Sequence, residues 1–344
     1  MSEILPPRYK PILSLKQTEQ AIKLVKDFFE RNLSAELQLS RVTSPLFVAR
    51  GSGINDDLNG IERPVRFPVK KLADREMEVV QSLAKWKRMA LADYGYAPGT
   101  GLYTDMNALR PDDDIDAIHS IYVDQWDWEL VMRQDQRNQR FLKKIVEKIY
   151  EVLKRTEFVV SEQYEEIRPV LPDRITFIHS EEARRRFPAL SPQERERELA
   201  REYGAIFIIG IGGKLADGTI HGGRAPDYDD WTSTAEDGSS GLNGDIIVWD
   251  TVRQDSLELS SMGIRVDAES LKRQLALTNT EERAKLYWHS RLLSGDFPQT
   301  IGGGIGQSRL CMFFLRKAHI GEVQASVWPQ ETIDLCRSRG VHLM

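Results

Sequence analysis

The sequence predicts an α+β fold built on a largely antiparallel sheet. Two observations carry this. Helical and strand-like runs do not alternate as regular βαβ units, and the strand-like runs crowd into the second half of the chain. The 344 residues are 41% apolar and 29% charged, a balance that suits a globular core rather than a disordered chain. No linker, internal repeat or composition shift divides them. One domain spanning 1–344 is therefore expected, with 1–13 and 330–344 as peripheral tails.

Taken in order, Ser14-x-x-Gln17 has the form of a capping box, and Ile22, Val25, Phe29 and Leu33 share one face of the helix it opens. Strands are expected at Met77–Val80 and Ile121–Val123. Between them, Ser82 to Arg88 (SLAKWKR) puts Lys85 and Arg88 one helical turn apart, with Lys87 on another side, and reads as a basic helix face. Pro111 interrupts any helix and pushes Arg110 toward an extended conformation at a strand end. A second long helix gathers Phe141, Ile145, Ile149, Val152 and Leu153. A strand is expected at Ile175–Ile178. From Glu181 to Glu202, Arg and Glu alternate densely, the pattern of a solvated helical face. Further strands are expected at Ile206–Ile211, Ile246–Trp249 and Leu257–Val266.

Several function classes lack their signatures. Lys and Arg number 47 against 52 Asp and Glu, a net charge of −5, so there is no overall basic excess for nucleic acid. Two cysteines, Cys311 and Cys336, make neither a disulfide scaffold nor a metal pair. The histidines (His119, His179, His221, His289, His319 and His342) never fall three to five apart, which excludes a zincin helix or a zinc finger. Gly212-Gly213-Lys214 fails as a P-loop because Ile208 stands where its first glycine is required. A Rossmann fingerprint and a GxSxG elbow are absent. The longest apolar stretches, such as that from Ala205, fall far short of the roughly 20 residues that span a bilayer. The N-terminal residues carry no hydrophobic signal segment, and a cytoplasmic setting with no membrane partner is expected.

Other segments read as chemistry. Gly302 to Arg309 (GGGIGQSR) alternates glycines at Gly302, Gly304 and Gly306, as where a ligand or another backbone comes close. The Arg309 guanidinium can stack on an aromatic base. The same residues also describe a glycine-rich turn ending in a surface arginine. In Leu257–Val266, period two puts Leu257 and Leu259 on one face, and Glu258 and Ser260 on the other with Arg265 nearby. A carboxylate and a hydroxyl on an inner face suit Mg²⁺ with a polyphosphate. Tyr122–Glu129, Arg224–Trp231 and Gly241–Asp250 concentrate Asp and Glu among Trp and Tyr. Acids held between rings suit an ammonium or a metal.

In this order, SLAKWKR, YVDQWDWE, RAPDYDDW, ELSSMGIRVDA and PQTIGGGIGQSRL resemble the ammonia-dependent asparagine synthetases, aspartate–ammonia ligases related to class II aminoacyl-tRNA synthetases. The resemblance runs from about Ser14 to Pro329. Arg110 resembles the arginine of the second class II motif, and Gly302 to Arg309 resembles the third. Pro45, after the strand-like LQLSRVTS, resembles the first motif, which forms the dimer interface. The loop Asn55-Asp56-Asp57 departs from the family by its second acid.

The resemblance implies an antiparallel class II sheet flanked by helices, in a single catalytic domain that forms a homodimer. It implies ATP-dependent amidation of L-aspartate by ammonia through β-aspartyl-AMP, giving L-asparagine, AMP and pyrophosphate, with Mg²⁺. Carried over by position, it implies Asp56, Arg110 and Gln125 in catalysis, with Asp56 and Gln125 on the ammonia side. Ser82, Lys87, Asp127, Ser261 and Arg265 are implied around the amino acid, with Lys87 and Arg265 on a carboxylate and Asp127 on the ammonium. Arg110, Ser120, Asp229, Ser260 and Arg309 are implied around the nucleotide, and Asp245 and Glu258 near the metal. Two other readings share the fold. A tRNA synthetase is disfavoured because only about 13 residues precede the first helix and about 15 follow Pro329, leaving no anticodon module. A non-catalytic amino-acid sensor is disfavoured because it has no need for both arginines and Glu258. With Ser2 at position 2 and both cysteines beyond residue 310, free ammonium is the expected nitrogen donor.

Overall fold

A computed structural model describes residues 4–56, 58, 62–72, 75–235 and 238–344; Ser2 and Asp57 lie outside them. The first helix, α1 (Leu15–Leu37), opens on the expected capping box. The Ser14 hydroxyl accepts from the Gln17 backbone amide, and the Gln17 side chain accepts from Ser14 N–H. Strand β1 (Leu39–Arg41) follows. Three short strands, β2 (Phe47–Ala49), β3 (Arg66–Pro68) and β4 (Glu76–Val79), form a small separate sheet in the order β2-β4-β3.

Helix α2 (Ala84–Asp93) leads into the long antiparallel pair β5 (Gly101–Leu109) and β6 (Tyr122–Val131), then α3 (Gln139–Gln163). Next come β7 (Thr176–His179), α4 (Ser180–Arg186), α5 (Pro192–Tyr203), β8 (Ala205–Ile209), β9 (Asn243–Asp250) and β10 (Asp255–Ile264). The last elements are α6 (Ala268–Leu277), α7 (Tyr287–Leu293), β11 (Thr300–Gly306), α8 (Gln307–Phe314) and α9 (Gln330–Ser338). The main sheet has eight strands in the order β1-β5-β6-β11-β10-β9-β8-β7. Only the outer pairs, β1 with β5 and β7 with β8, are parallel. The mixed architecture with a mostly antiparallel sheet is the one expected.

Some elements differ from expectation. The strand expected at Ile121–Val123 runs on to Val131, because its polar residues are not on a solvent face. Glu181–Glu202 holds two helices rather than one face: α4 stops at Arg186, two residues before Pro188, where the backbone of the preceding residue is forced out of the helical region. The glycine-rich segment is a central strand, β11, not a turn.

The period of two along β6 positions the site. Trp126, Trp128 and Leu130 turn into the main core, where they meet Phe29 of α1, Ile149 of α3 and Met312 of α8. Gln125, Asp127 and Glu129 turn the other way, onto the face that α2 covers. The tails meet each other, with Leu5, Ala318, Cys336 and Val341 in one apolar cluster and the Tyr9 hydroxyl donating to Glu322 at 3.0 and 2.9 Å. Among the described residues, no helix is long and apolar enough to cross a membrane.

Candidate active site

Gln125, Asp127 and Glu129 lie opposite Gly306, Gly304 and Gly302 of β11. A Cβ on Gly302 would sit 1.8 Å from Glu129 Oε2, and one on Gly304 would sit 2.3 Å from Gln125 Oε1. The alternating glycines thus leave room for acids and an amide of the neighbouring strand to fold across β11. From α2, Lys87 reaches down to the same strands. Its ammonium donates to Trp128 O and Gly303 O, both at 3.0 Å, and lies 3.5 Å from Asp127 Oδ2.

The basic helix face expected of SLAKWKR is interior: Lys85, Lys87 and Arg88 are 2%, 1% and 1% exposed. Each has a buried partner, Lys85 on Asp227 and Arg88 on the Val266 carbonyl oxygen. Paired and hydrogen-bonded, such charges can lie inside.

The charges continue as a network. Arg265 holds Glu129 through Nε and Nη2 (3.0 and 2.9 Å) and Asp229 through Nη1 (2.6 Å). Arg224 bonds Asp245 and donates to Ser261 Oγ at 2.7 Å, with Asp229 3.7 Å from its Nε. Burial drives the Lys87 pKa down, against the pull of Asp127 and Glu129. Burial works to raise Glu129, yet Arg265 and Lys87 hold it below the usual carboxylate range. Burial pushes Asp245 up to about 8, opposed by Arg224 and reinforced by Glu258. Asp127, Glu129, Asp229 and Asp245 thus share one buried network with Lys87, Arg224 and Arg265.

A cavity of about 630 Å³ opens onto this network, and every expected site residue except Asp245 lines it. Its walls include Asp56, Ser82, Lys87, Gln125, Asp127, Ser261 and Arg265, with Tyr228 and Asp229, together with Arg110, Ser120, Glu258, Ser260 and Arg309. Arg110 is anchored by Nε and Nη2 on Gln81 O (3.2 and 2.8 Å), and its Nη1 has no partner among the described residues. Arg309 Nη1 donates to Glu258 O at 3.2 Å and lies 3.8 Å from its carboxylate. Ser120 Oγ meets Ser326 Oγ at 2.6 Å, and Ser260 Oγ donates to Gly304 O at 3.0 Å. Asp56 is buried, with Oδ1 accepting from Leu58 N at 3.2 Å. Asp245 stands behind the wall, on Arg224. Sequence reasoning missed Arg224 itself, although one arginine opening an otherwise acidic and aromatic run was its signal.

The model of the aspartate–ammonia ligase family matches residues 16–340. A curated aspartate–ammonia ligase of Bacteroides thetaiotaomicron is 60% identical over 341 residues, 99% of each chain. The chain belongs to the aspartate–ammonia ligase family. A Clostridium perfringens aspartate–ammonia ligase is 55% identical over 340 residues, covering 99% of this chain and 98% of its own. The fold of this ligase-family chain also resembles the asparaginyl-tRNA synthetase of Pyrococcus horikoshii solved with asparaginyl-adenylate. The TM-score is 0.67 at 15% identity, covering 91% of this chain and 70% of that one. For the aspartyl-tRNA synthetase of Entamoeba histolytica the TM-score is 0.62 at 14% identity, covering 89% of this chain and 57% of that one. At such identities the likeness speaks to the fold alone.

Among the described residues, no group of three or more His, Cys, Asp or Glu side chains stands close enough to hold a metal ion. Glu258 lines the cavity and raises the pKa of Asp245, so two carboxylates sense each other beside the arginines. That donor set fits a hard cation whose remaining ligands come from substrate phosphates and water.

Proposed function

We propose that this ligase-family protein makes L-asparagine from L-aspartate, ammonia and ATP through a β-aspartyl-AMP intermediate, releasing AMP and pyrophosphate. The observation that carries the reading is the single cavity in which Arg110 and Arg309 share walls with Lys87, Asp127, Asp56 and Gln125. An ionised carboxylate repels nucleophiles and has no competent leaving group. Joining the β-carboxylate to AMP cures both faults, because the acyl–oxygen bond of the mixed anhydride then breaks with AMP carrying off the electron pair.

In this reading Arg110 meets the α-phosphate through its unpartnered Nη1, and Arg309 stacks on the adenine. Ser120, Ser260 and Asp229 complete the nucleotide side. Asp127, on the cavity wall, takes the α-ammonium of aspartate, while Ser82, Ser261, Lys87 and Arg265 orient its carboxylates. Glu258, with Asp245 behind it, would hold Mg²⁺, which neutralises charge on the departing pyrophosphate. Gln125 positions the nitrogen nucleophile, and Asp56 accepts the proton that nitrogen loses as the amide forms.

We further read the chain as a single catalytic domain acting as a cytoplasmic homodimer. The exposed Leu46 and Phe47, beside Pro45, offer the apolar surface a dimer contact needs. The test is aspartate-dependent exchange of pyrophosphate into ATP in the absence of ammonium, followed by ammonium-dependent formation of asparagine and AMP in equal amounts. Exchange that requires tRNA, or no exchange at all, rejects the reading.

A further inference from the structure

The segment Arg224–Trp231 sets three aspartates around one tyrosine, and the acids serve as braces. Asp227 holds Lys85 of α2 at 3.1 Å, Asp229 holds Arg265 at 2.6 Å, and Asp230 pairs with Arg137. All three are fully buried. The backbone between them is pinned to the chain that leaves β10. Tyr228 O accepts from Val266 N at 3.0 Å, and Asp229 forms an antiparallel bridge with Arg265. A side chain carried on a segment anchored in this way is preorganised.

Tyr228 differs from these neighbours. It is only half-buried and lines the large cavity, and its hydroxyl has no hydrogen-bond partner among the described residues. The Arg265 guanidinium stands 6.0 Å from the ring centroid, a weak cation–π contact that engages the ring and leaves the hydroxyl free. Burial pushes the phenol pKa well above its usual range, opposed by Arg224 and Arg265 and reinforced by Asp56 and Asp229. The O–H therefore keeps its proton at working pH, within the fields of Asp56 and both arginines. The nearby cations are already engaged, Lys87 on Asp127 and two carbonyl oxygens, and Arg265 on Glu129 and Asp229. An uncommitted neutral donor beside committed charges suits an oxygen that gains charge only during reaction.

We propose that Tyr228 is a catalytic residue of the amidation half-reaction, donating its phenolic hydrogen bond to the β-carbonyl oxygen as ammonia adds. This rests on the proposed ligase reaction. The nitrogen lone pair bonds the β-carbonyl carbon, and the C=O π electrons move onto the oxygen, whose negative charge the Tyr228 O–H meets. One nitrogen-bound proton passes to Asp56. The oxygen then returns its electrons, the acyl–oxygen bond breaks and AMP departs with that pair. The phenol keeps its proton throughout. Adenylation makes no tetrahedral carbon, because there a carboxylate oxygen attacks phosphorus and pyrophosphate leaves. A donor of this kind therefore acts in one half-reaction and not the other.

The test is Tyr228→Phe, which keeps the ring against Arg265 and removes only the hydroxyl. With the adenylate formed first on the enzyme from aspartate and ATP, saturating ammonium is then added and asparagine followed in a single turnover. The variant should be slower than the parent by about 10²-fold, the scale of one lost oxyanion donor. The ammonium concentration giving half the maximal rate, and aspartate-dependent pyrophosphate exchange without ammonium, should both stay within about twofold of the parent. A parental rate of amidation overturns the proposal. So does a loss that higher ammonium repairs, which would move the phenol onto the nitrogen. Loss of exchange together with synthesis also overturns it, since Tyr228 then positions aspartate or the nucleotide. Absence of exchange in the parent instead rejects the ligase reading beneath it.

Discussion

At the scale of single residues, Arg309 and Asp56 should fall on different half-reactions. Arg309 is held by its contact with Glu258 O and is 22% exposed at its side chain, so it is both placed and reachable. Arg309→Ala should raise the KM for ATP by about 2- to 30-fold, the span of a lost cation–π contact of about 0.5–2 kcal/mol. Arg309→Lys should rescue poorly, because an ammonium has no plane to stack. An alanine variant that binds ATP as the parent does would sink this assignment. Asp56→Asn keeps shape and removes basicity, so asparagine synthesis should slow by about 10²–10⁴-fold while pyrophosphate exchange persists. Asp56 also caps Leu58 N, a purely local duty, and little change in either activity would reduce it to that. Loss of both activities together would move Asp56 to aspartate or nucleotide positioning. The residue types at these places were legible from the sequence. The partners of Lys87 and Arg265 were not, because Glu129 and Asp229 reach them across strands rather than along the chain.

At the scale of elements, β11 and α2 show where local pattern misleads. Alternating glycines weaken a strand by propensity, and three cations on a short helix suggest water. Here β11 is flanked on both sides by paired strands, and α2 lies over the polar face of β6, so tertiary pairing outweighs both preferences. Gly302→Ala should therefore be costly. The added methyl would strike Glu129, which Arg265 holds by three hydrogen bonds and cannot release cheaply. We expect a loss of about 1–3 kcal/mol by urea unfolding, the scale of an overpacked core. Unchanged stability would mean that Glu129 is free to turn aside. By contrast α1 was readable from its capping box and apolar stripe, since a cap is a contact between residues three apart.

At the scale of the whole molecule, two measurements bear on assembly and packing. Sedimentation should find a dimer, and Leu46→Asp with Phe47→Asp should return it to monomer if that apolar surface is the contact; an unaltered dimer moves the interface elsewhere. Cys311 and Cys336 are both fully buried, and burial pushes their thiols up to about 12 and about 11. A raised thiol pKa keeps the reactive thiolate scarce below those values, so at pH 8 neither should react with a thiol reagent until the protein is unfolded. Reaction of the native protein would show that the core opens. The sequence alone determined the fold class, the family resemblance and a set of candidate residues of which all but Asp245 line the cavity, because motif spacing and residue type are properties of the chain itself. Only the tertiary structure decided that Lys85, Lys87 and Arg88 are interior, that Asp245 stands behind Arg224, and that the aspartates around Tyr228 are paired with distant cations. Those are contacts between residues far apart in sequence, and burial and charge compensation arise only when the sheet brings them together.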